Sequence, residues 1–390
     1  MYSLGPSEYY IDLAMPFGKA NSSKIFCRWA SLWFKSCITR FNWEFNANAV
    51  LGSYVDDAFG GDVSYAPAKE LIEYVTAAGD RHQTFVNVVK SEGPATSMVI
   101  LGLLYCSELQ ICSLAPKKVR KYAEQMVSLL RQGWATSKDL ERMVGRLEFA
   151  AWVEPFGRPL LSFLSAYITP DYPRAILPLT EMMRICLRVW HLLISRNRGL
   201  HFGFILNYLP TKKPPIFVDA SLSGGIGGYF GLLYFSLSIE QLKPWLVACD
   251  GWESFPRVDI AWLELLAACV ALYTFARHVT QRILTLFSDN TNVVAWLTRR
   301  RAPDPFVCAV VAAMERVKYH NILKISTRYI PSAQNTAADF LSRGHVPDYL
   351  YRHGTRRSPP MRAICANLHL NNIERLWATT INRARLPTQV

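Results

Sequence analysis

Residues 283–297 read ILTLFSDNTNVVAWL. Ile283 to Ser288 is an apolar run of the length expected of a buried strand. Asp289 and Asn290 stop it, and a helix is expected from about Thr291. A carboxylate at the end of a buried strand is costly unless charge or hydrogen bonds meet it. The same signature stands at 216–221, where IFVDAS sets Asp219 in an apolar strand. Between the two, Ile260 to Ala276 is nearly all apolar and is broken by Glu264. That stretch is slightly short for a membrane span and carries an acid that lipid would penalise, so a buried helix displaying one carboxylate is expected.

Working outward, glycines crowd 224–231, where strands are expected to turn tightly. A helix over roughly 304–319, a strand at 322–330 and a helix at 334–342 follow, the last carrying Asp339 in AADFLSR. Strand, hairpin, helix, strand, helix, helix, strand, helix is the order of a mixed α/β sandwich. Four acids thus lie among apolar neighbours, at strand ends and in helices of one small unit. One alone is ordinarily a cap, a turn or a satisfied core acid. Four clustered carboxylates repel one another unless cations sit between them, and hard oxygen ligands suit Mg²⁺ or Mn²⁺. Two such ions roughly 4 Å apart can activate water and steady the leaving oxygen in phosphodiester cleavage.

The first half reads differently. A helix is expected over Lys19–Cys37, where Ile25, Trp29, Leu32 and Trp33 recur at helical spacing. AVLGSYVDDAFGG at 49–61 reads as two short strands around an acidic turn, followed by a helix over 66–78. Residues 97–114 read as a hairpin turning near Ser107 and Glu108. Pro116 suits the first turn of a helix reaching about Leu130. Thr136 and Asp139 have capping-box spacing ahead of a helix to about Trp152. Two more helical stretches, 155–168 and 178–196, make 115–196 a helical segment. Pro210, Pro214 and Pro215 mark a linker or loop before the α/β unit.

The order Asp219, Glu264, Asp289, Asp339 resembles the D-E-D-D signature of type 1 ribonuclease H, and the strings VDAS, LELLA, SDN and IPSAQNTAADFLSR match it locally. The last is similar to the ending of retroelement ribonuclease H domains, and the resemblance covers about 205–345. It implies that the four acids bind two divalent ions, Mg²⁺ or Mn²⁺, and cut the RNA strand of an RNA–DNA hybrid. It also implies that Asn335 contacts substrate. Relatives often carry a histidine just before the I-P dipeptide; here it is Tyr329. Upstream, YVDD at 54–57, MPFGKANSSKIF at 15–26, Lys90, ILGLLY at 100–105 and GRLEFAAWVEPFGRPLL at 145–161 resemble reverse-transcriptase palm and thumb segments. The whole of about 9–345 looks most like the polymerases of tyrosine-recombinase (DIRS-type) retrotransposons. That resemblance makes Asp56 and Asp57 the polymerase acids.

A polymerase needs a further aspartate on an earlier palm strand, and only 14 residues precede Met15. The expectation is therefore a palm truncated at the N-terminus, with primer extension lost. The expected organisation is a partial palm (1–114), a helical thumb and connection (115–200), a ribonuclease H-like domain (205–345) and a basic tail (346–390).

Composition agrees with a folded, polyanion-binding chain. Of 390 residues, 51% are hydrophobic and 19% charged, and 43 Lys and Arg against 30 Asp and Glu leave a formal +13. Such a surplus suits nucleic acid, held in a salt-dependent way through phosphates. Candidate grips are Arg299, Arg300 and Arg301, and the run Lys117, Lys118, Arg120 and Lys121. Nine scattered cysteines with no C-x-x-C pair point to a reducing compartment. The N-terminus lacks the pattern of a secretory signal, so an intracellular site, cytoplasm or nucleus, and no membrane partner are expected. The competing expectation is a non-catalytic nucleic-acid-binding remnant, which the presence of all four acids disfavours.

Overall fold

The computed structural model describes residues 2–5, 8–10, 22–54, 57–82, 86–202, 214–247, 259–279, 283–301, 304–368 and 372–383. The fold is mixed α/β, and the chain divides into two compact units, Met1–Ile100 and Leu101–Val390.

In the first unit a long helix, Ser22–Glu44, packs beside an antiparallel hairpin of Val50–Tyr54 and Asp57–Gly61, and the helix Tyr65–Arg81 follows. Its core is small: Trp33, Cys37, Phe41, Ala49, Leu71, Val75 and Ala78. Apart from Ala49, these recur on one face of each helix, and the first helix runs past the expected end at Cys37 to Glu44 because Phe41 continues that face.

The second unit opens with an antiparallel hairpin, Leu103–Cys106 and Ile111–Leu114, to which Leu200–His201 adds an edge. Helices Pro116–Gln132, Ser137–Ala150 and Glu181–Arg196 stand beside it. Pro116 begins the first as expected. Thr136 and Asp139 form a reciprocal capping box at the second. The stretch expected as a helix over 155–168 is instead a 3₁₀ turn, Pro155–Leu161, followed by one α-turn, Ser162–Ser165. Pro159 inside it removes the amide that a regular helix would need.

The mixed sheet contains β1 (Ile216–Ser221), β2 (Gly225–Phe230), β3 (Leu233–Ser238), β4 (Ile283–Ser288), β5 (Lys324–Tyr329) and β6 (Thr355–Arg356). Its order is β5-β4-β1-β2-β3-β6. β1, β2 and β3 form an antiparallel meander, while β4 runs parallel to β1, β5 to β4 and β6 to β3. The longer helices are α1 (Ile239–Val247), α2 (Ile260–Phe275), α3 (Thr291–Arg299), α4 (Pro305–Asn321), α5 (Thr336–Ser342), α6 (Met361–Leu368) and α7 (Ile373–Arg383), with a short helix, Asp348–His353, between α5 and α6. The apolar stretch expected as a buried helix is α2, which packs on β1 and β2 and is buried along most of its length. Helix α1 was not foreseen, because Pro244 lies inside it.

Two expectations change. The glycines of 224–231 do not all serve turns: Gly225 (φ +139°) is the first residue of β2 and Gly231 (φ +59°) follows its end, but Gly227 and Gly228 lie in its interior. A Cβ on Gly227 would stand 2.4 Å from Ser342 N and 2.5 Å from Leu341 C, so the glycine lets α5 lie directly on the sheet. Residues 346–368 and 372–383 also fold. They add β6 to the sheet edge and bury Ile364, Trp377 and Ile381 in a core that runs without a break through the helical segment and the mixed sheet.

Candidate metal centre and nucleic-acid site

Strand pairing explains how distant acids meet. Ile216 pairs with Leu286 and Phe217 with Phe287, so continuing that parallel register sets Asp219 level with Asp289 on the neighbouring strand. Both lie toward the carboxyl ends of β1 and β4, where open α/β sheets place their ligands. Glu264 comes from the second turn of α2, whose N-terminus is capped by Asp259 accepting from Ala261 N at 3.4 Å. One carboxylate oxygen from each of Asp219, Glu264 and Asp289 lies within 4.8 Å of the others. Asp219 is 5% exposed and Glu264 6%.

Asp339 stands in the first turn of α5 and is not in that trio. Its Oδ1 accepts from Arg343 Nε at 2.8 Å. It adjoins the cluster through Ser342, whose hydroxyl donates to Asp219 Oδ2 at 2.7 Å and lies 2.8 Å from Asp339 O.

The chemistry of the donors fits a divalent cation. Burial drives the Asp219 carboxyl up to about 7; the Ser342 hydrogen bond opposes this, while Asp289 and Asp339 add to it. Burial likewise lifts Glu264 to about 8, against a hydrogen bond from Ser288 and with the charges of Asp289 and Asp219 adding to the rise. Three hard oxygens this close, two of them on buried acids that resist ionising side by side, are stabilised by a cation between them. Asp289 Oδ1 is buried and has no hydrogen-bond partner, as expected of an atom reserved for a ligand. Asp219, Glu264 and Asp289 are the residues that could hold the metal.

Three hydroxyls went unnoticed in the sequence. Ser288 donates to Glu264 Oε2 at 2.9 Å, Ser332 to Asp289 Oδ2 at 2.5 Å and Ser342 to Asp219 Oδ2 at 2.7 Å. Each serine belongs to a string already singled out, SDN, IPSAQN or FLSR, but serine is too common in turns and caps to be noticed alone. Together they fix one oxygen of each acid, the outer support that metal sites need.

The other candidates fall in different places. Asn335 is 2% exposed; its Nδ2 donates to Val218 O at 2.9 Å, and its Oδ1 is buried without a partner. In this structure it ties the start of α5 to β1. Tyr329, at the end of β5, pairs in register with Ser288 and is half exposed, one residue along the sheet from Asp289. The arginine run divides: Arg299 is exposed, Arg300 lies 3.8 Å from buried Glu315, and Arg301 lies 3.8 Å from Glu148. In the helix Pro116–Gln132, Lys118 Nζ sits 3.6 Å from the centre of the Phe149 ring. Asp57 opens the second strand of the first unit's hairpin and is exposed; Asp56 lies outside the described residues. Among the described residues, Cys27, Cys37, Cys106, Cys112, Cys186 and Cys269 carry free thiols.

No family model and no curated protein matches the sequence. Among solved structures, the chain is similar to a foamy viral protease-reverse transcriptase in complex with double-stranded DNA, at 12% identity and a TM-score of 0.36, over 79% of this chain and 49% of that one. It is similar also to a foamy viral protease-reverse transcriptase in complex with an RNA/DNA hybrid, at 14% identity and a TM-score of 0.36, over 81% of this chain and 38% of that one. The chain thus spans half or less of the length of those structures.

Proposed function

We propose that this protein is a divalent-metal nuclease of retroelement type that cuts the RNA strand of an RNA–DNA hybrid. The observation that carries the reading is the trio of carboxylate oxygens within 4.8 Å, supplied by two parallel strand ends and a buried helix. Asp219, Glu264 and Asp289 would hold a first ion, and Asp339, now held by Arg343, would supply the fourth acid of a two-ion set. Such ions supply the positive charge that steadies attacking and leaving oxygens in phosphodiester cleavage.

The protein's own groups do the positioning. Ser288, Ser332 and Ser342 aim the carboxylates, and Asn290, capping α3 by accepting from Asn292 N and Val293 N, keeps Asp289 at the strand end. Recognition of a hybrid would follow groove shape and 2′-hydroxyls more than base sequence. Polymerisation forms no part of the proposal.

The test is incubation of the full chain with an end-labelled RNA–DNA hybrid and Mg²⁺ or Mn²⁺. RNA fragments should appear, EDTA should stop them, and the same RNA as a single strand should survive. A preparation that binds hybrid yet leaves it intact across both ions would overturn the reading in favour of a non-catalytic binding protein.

A further inference from the structure

A second feature lies on the same end of the mixed sheet. Beyond β3, a groove of about 840 Å³ runs between the ends of β3 and β6, α1 and the start of α6. Arg356, Arg357 and Arg362 line it, together with Trp245, Pro359 and Pro360. No acidic side chain is among the described residues that line it. Arg356 Nη2 donates to Ser236 O at 3.1 Å, and Arg357 N donates to Tyr234 O at 2.7 Å, so the strand carrying these arginines is hydrogen-bonded onto the edge of the sheet. Arg362 is exposed on α6, and Trp245 is 37% exposed.

The register gives the groove its relation to the acids. Asp219 pairs with Gly227, and Gly227 with Ser236, so Ser236 lies level with Asp219 two strands away. At about 4.8 Å between strands, that places the groove's near wall roughly 10 Å from Asp219. A nucleic-acid strand rising about 3.4 Å per nucleotide covers that gap in roughly three nucleotides.

We infer that this groove binds an unpaired nucleic-acid strand continuing from a duplex seated at the acid cluster. Three guanidinium groups, with no acid among the described lining residues, attract a phosphodiester backbone. The apolar walls suit the faces of bases, which are available only when a strand is unpaired, and an exposed tryptophan is the usual stacking surface for them. A paired duplex would present only phosphates, leaving the apolar lining without a partner. The inference rests on the proposed nuclease reading, because it takes the acid cluster as the place where the duplex lies.

The experiment measures binding rather than cleavage. The full chain, in EDTA, is titrated by fluorescence anisotropy against two probes: a blunt RNA–DNA hybrid and the same hybrid with a ten-nucleotide single-stranded DNA extension. The extension should tighten binding about 5- to 10-fold, a gain of the size expected from one stacked base and a phosphate contact or two. The double variant Trp245→Ala, Arg362→Glu, both at exposed positions, should bring the extended probe to the affinity of the blunt one. It should leave the blunt affinity within about twofold, and its thermal unfolding should match the parent. Equal affinity of the parent for both probes would overturn the inference, as would a preference that survives in the variant. Should the variant unfold early, Arg362→Gln alone decides by the same two criteria. An extension preference in a protein that cleaves nothing would keep the groove and sink the nuclease reading; cleavage without any preference would do the reverse.

Discussion

Asp57 and Asp219 are both acids on strands of antiparallel hairpins, and they have opposite surroundings. Asp57 is exposed at the tip of the two-stranded hairpin in the first unit. Asp219 lies in a central strand of a six-stranded sheet, beside two other carboxylates and under a helix. The YVDD string is local and needs only a turn to place it. The second set draws on residues 45 and 70 positions apart in sequence, and only long-range packing unites them: β1 on β4, and α2 across both β1 and β2. An acid cluster that the whole fold must assemble, and that burial makes expensive, persists only if something stabilises it.

The sharpest test sets the two motifs side by side. Asp289→Asn should lower metal-dependent hybrid cleavage on the order of 100-fold or more, since loss of a mere supporting partner already costs about 10–100-fold at metal sites. Hybrid affinity in EDTA should change little. Asp57→Asn should leave cleavage within about twofold. Comparable losses in both variants, measured as initial rates at saturating hybrid, would break the distinction between the two motifs.

Gly227→Ala comes next, because it presses on the contact that builds the cluster. Its new methyl would meet the backbone of Leu341 and Ser342 and push α5 outward. Overpacking of this kind costs about 1–3 kcal/mol. It would also lengthen the Ser342–Asp219 bond, so cleavage should fall together with the unfolding temperature. Full activity at a lowered unfolding temperature would show that α5 does not position the acids.

How much of this was legible in advance follows the range of the forces involved. The strands and helices around Asp219, Glu264, Asp289 and Asp339 could be read because apolar periodicity is local. Pro116 and the Thr136–Asp139 box marked two helix starts for the same reason. What escaped was set at a distance. Gly227 looked like a turn residue, although a helix more than 100 positions later requires it. Ser342 looked like any surface serine until α5 lay on β1. Trp377 and Ile381 were lost in a basic tail, although the core buries both.

Glu154 sharpens the contrast differently, by separating burial from clustering. It is 2% exposed, and burial pushes its carboxyl up to about 8, against a hydrogen bond from Gly199 N and the charge of Arg198. Its folded value lies above the ordinary 4.5, so the unfolded chain ionises first. Ionisation then favours unfolding, and stability falls as pH rises from about 4.5 to about 8. Glu154→Gln should flatten that decline, by a few kcal/mol at most given about 1.4 kcal/mol per pH unit. Parallel denaturation curves for parent and variant at pH 5 and pH 8 would show that Arg198 already offsets the burial.

The smallest effects concern the arginines after α3, where a run that looks uniform in sequence meets three different environments. Arg299 ends α3 exposed to solvent. Arg300 takes a left-handed conformation (φ 53°) just past the helix, and its Nε lies 3.8 Å from Glu315, which is buried and also bonded by Lys318. Arg301 reaches toward the helical segment, donating to Ser165 Oγ at 2.5 Å and lying 3.8 Å from Glu148. Only Arg299 is placed to touch a phosphate without first giving up an internal partner. Arg299→Ala should therefore reduce the slope of log affinity against log salt by up to about one, the share of one phosphate. Arg301→Ala should leave that slope unchanged and cost no more than about 1 kcal/mol of stability, as exposed ion pairs do. Arg300→Ala should cost more, because it strips a charge partner from a buried glutamate. Three equal reductions in salt slope, with unfolding temperatures unmoved, would mean that the run faces a polyanion as a single surface and that its internal ion pairs open on binding.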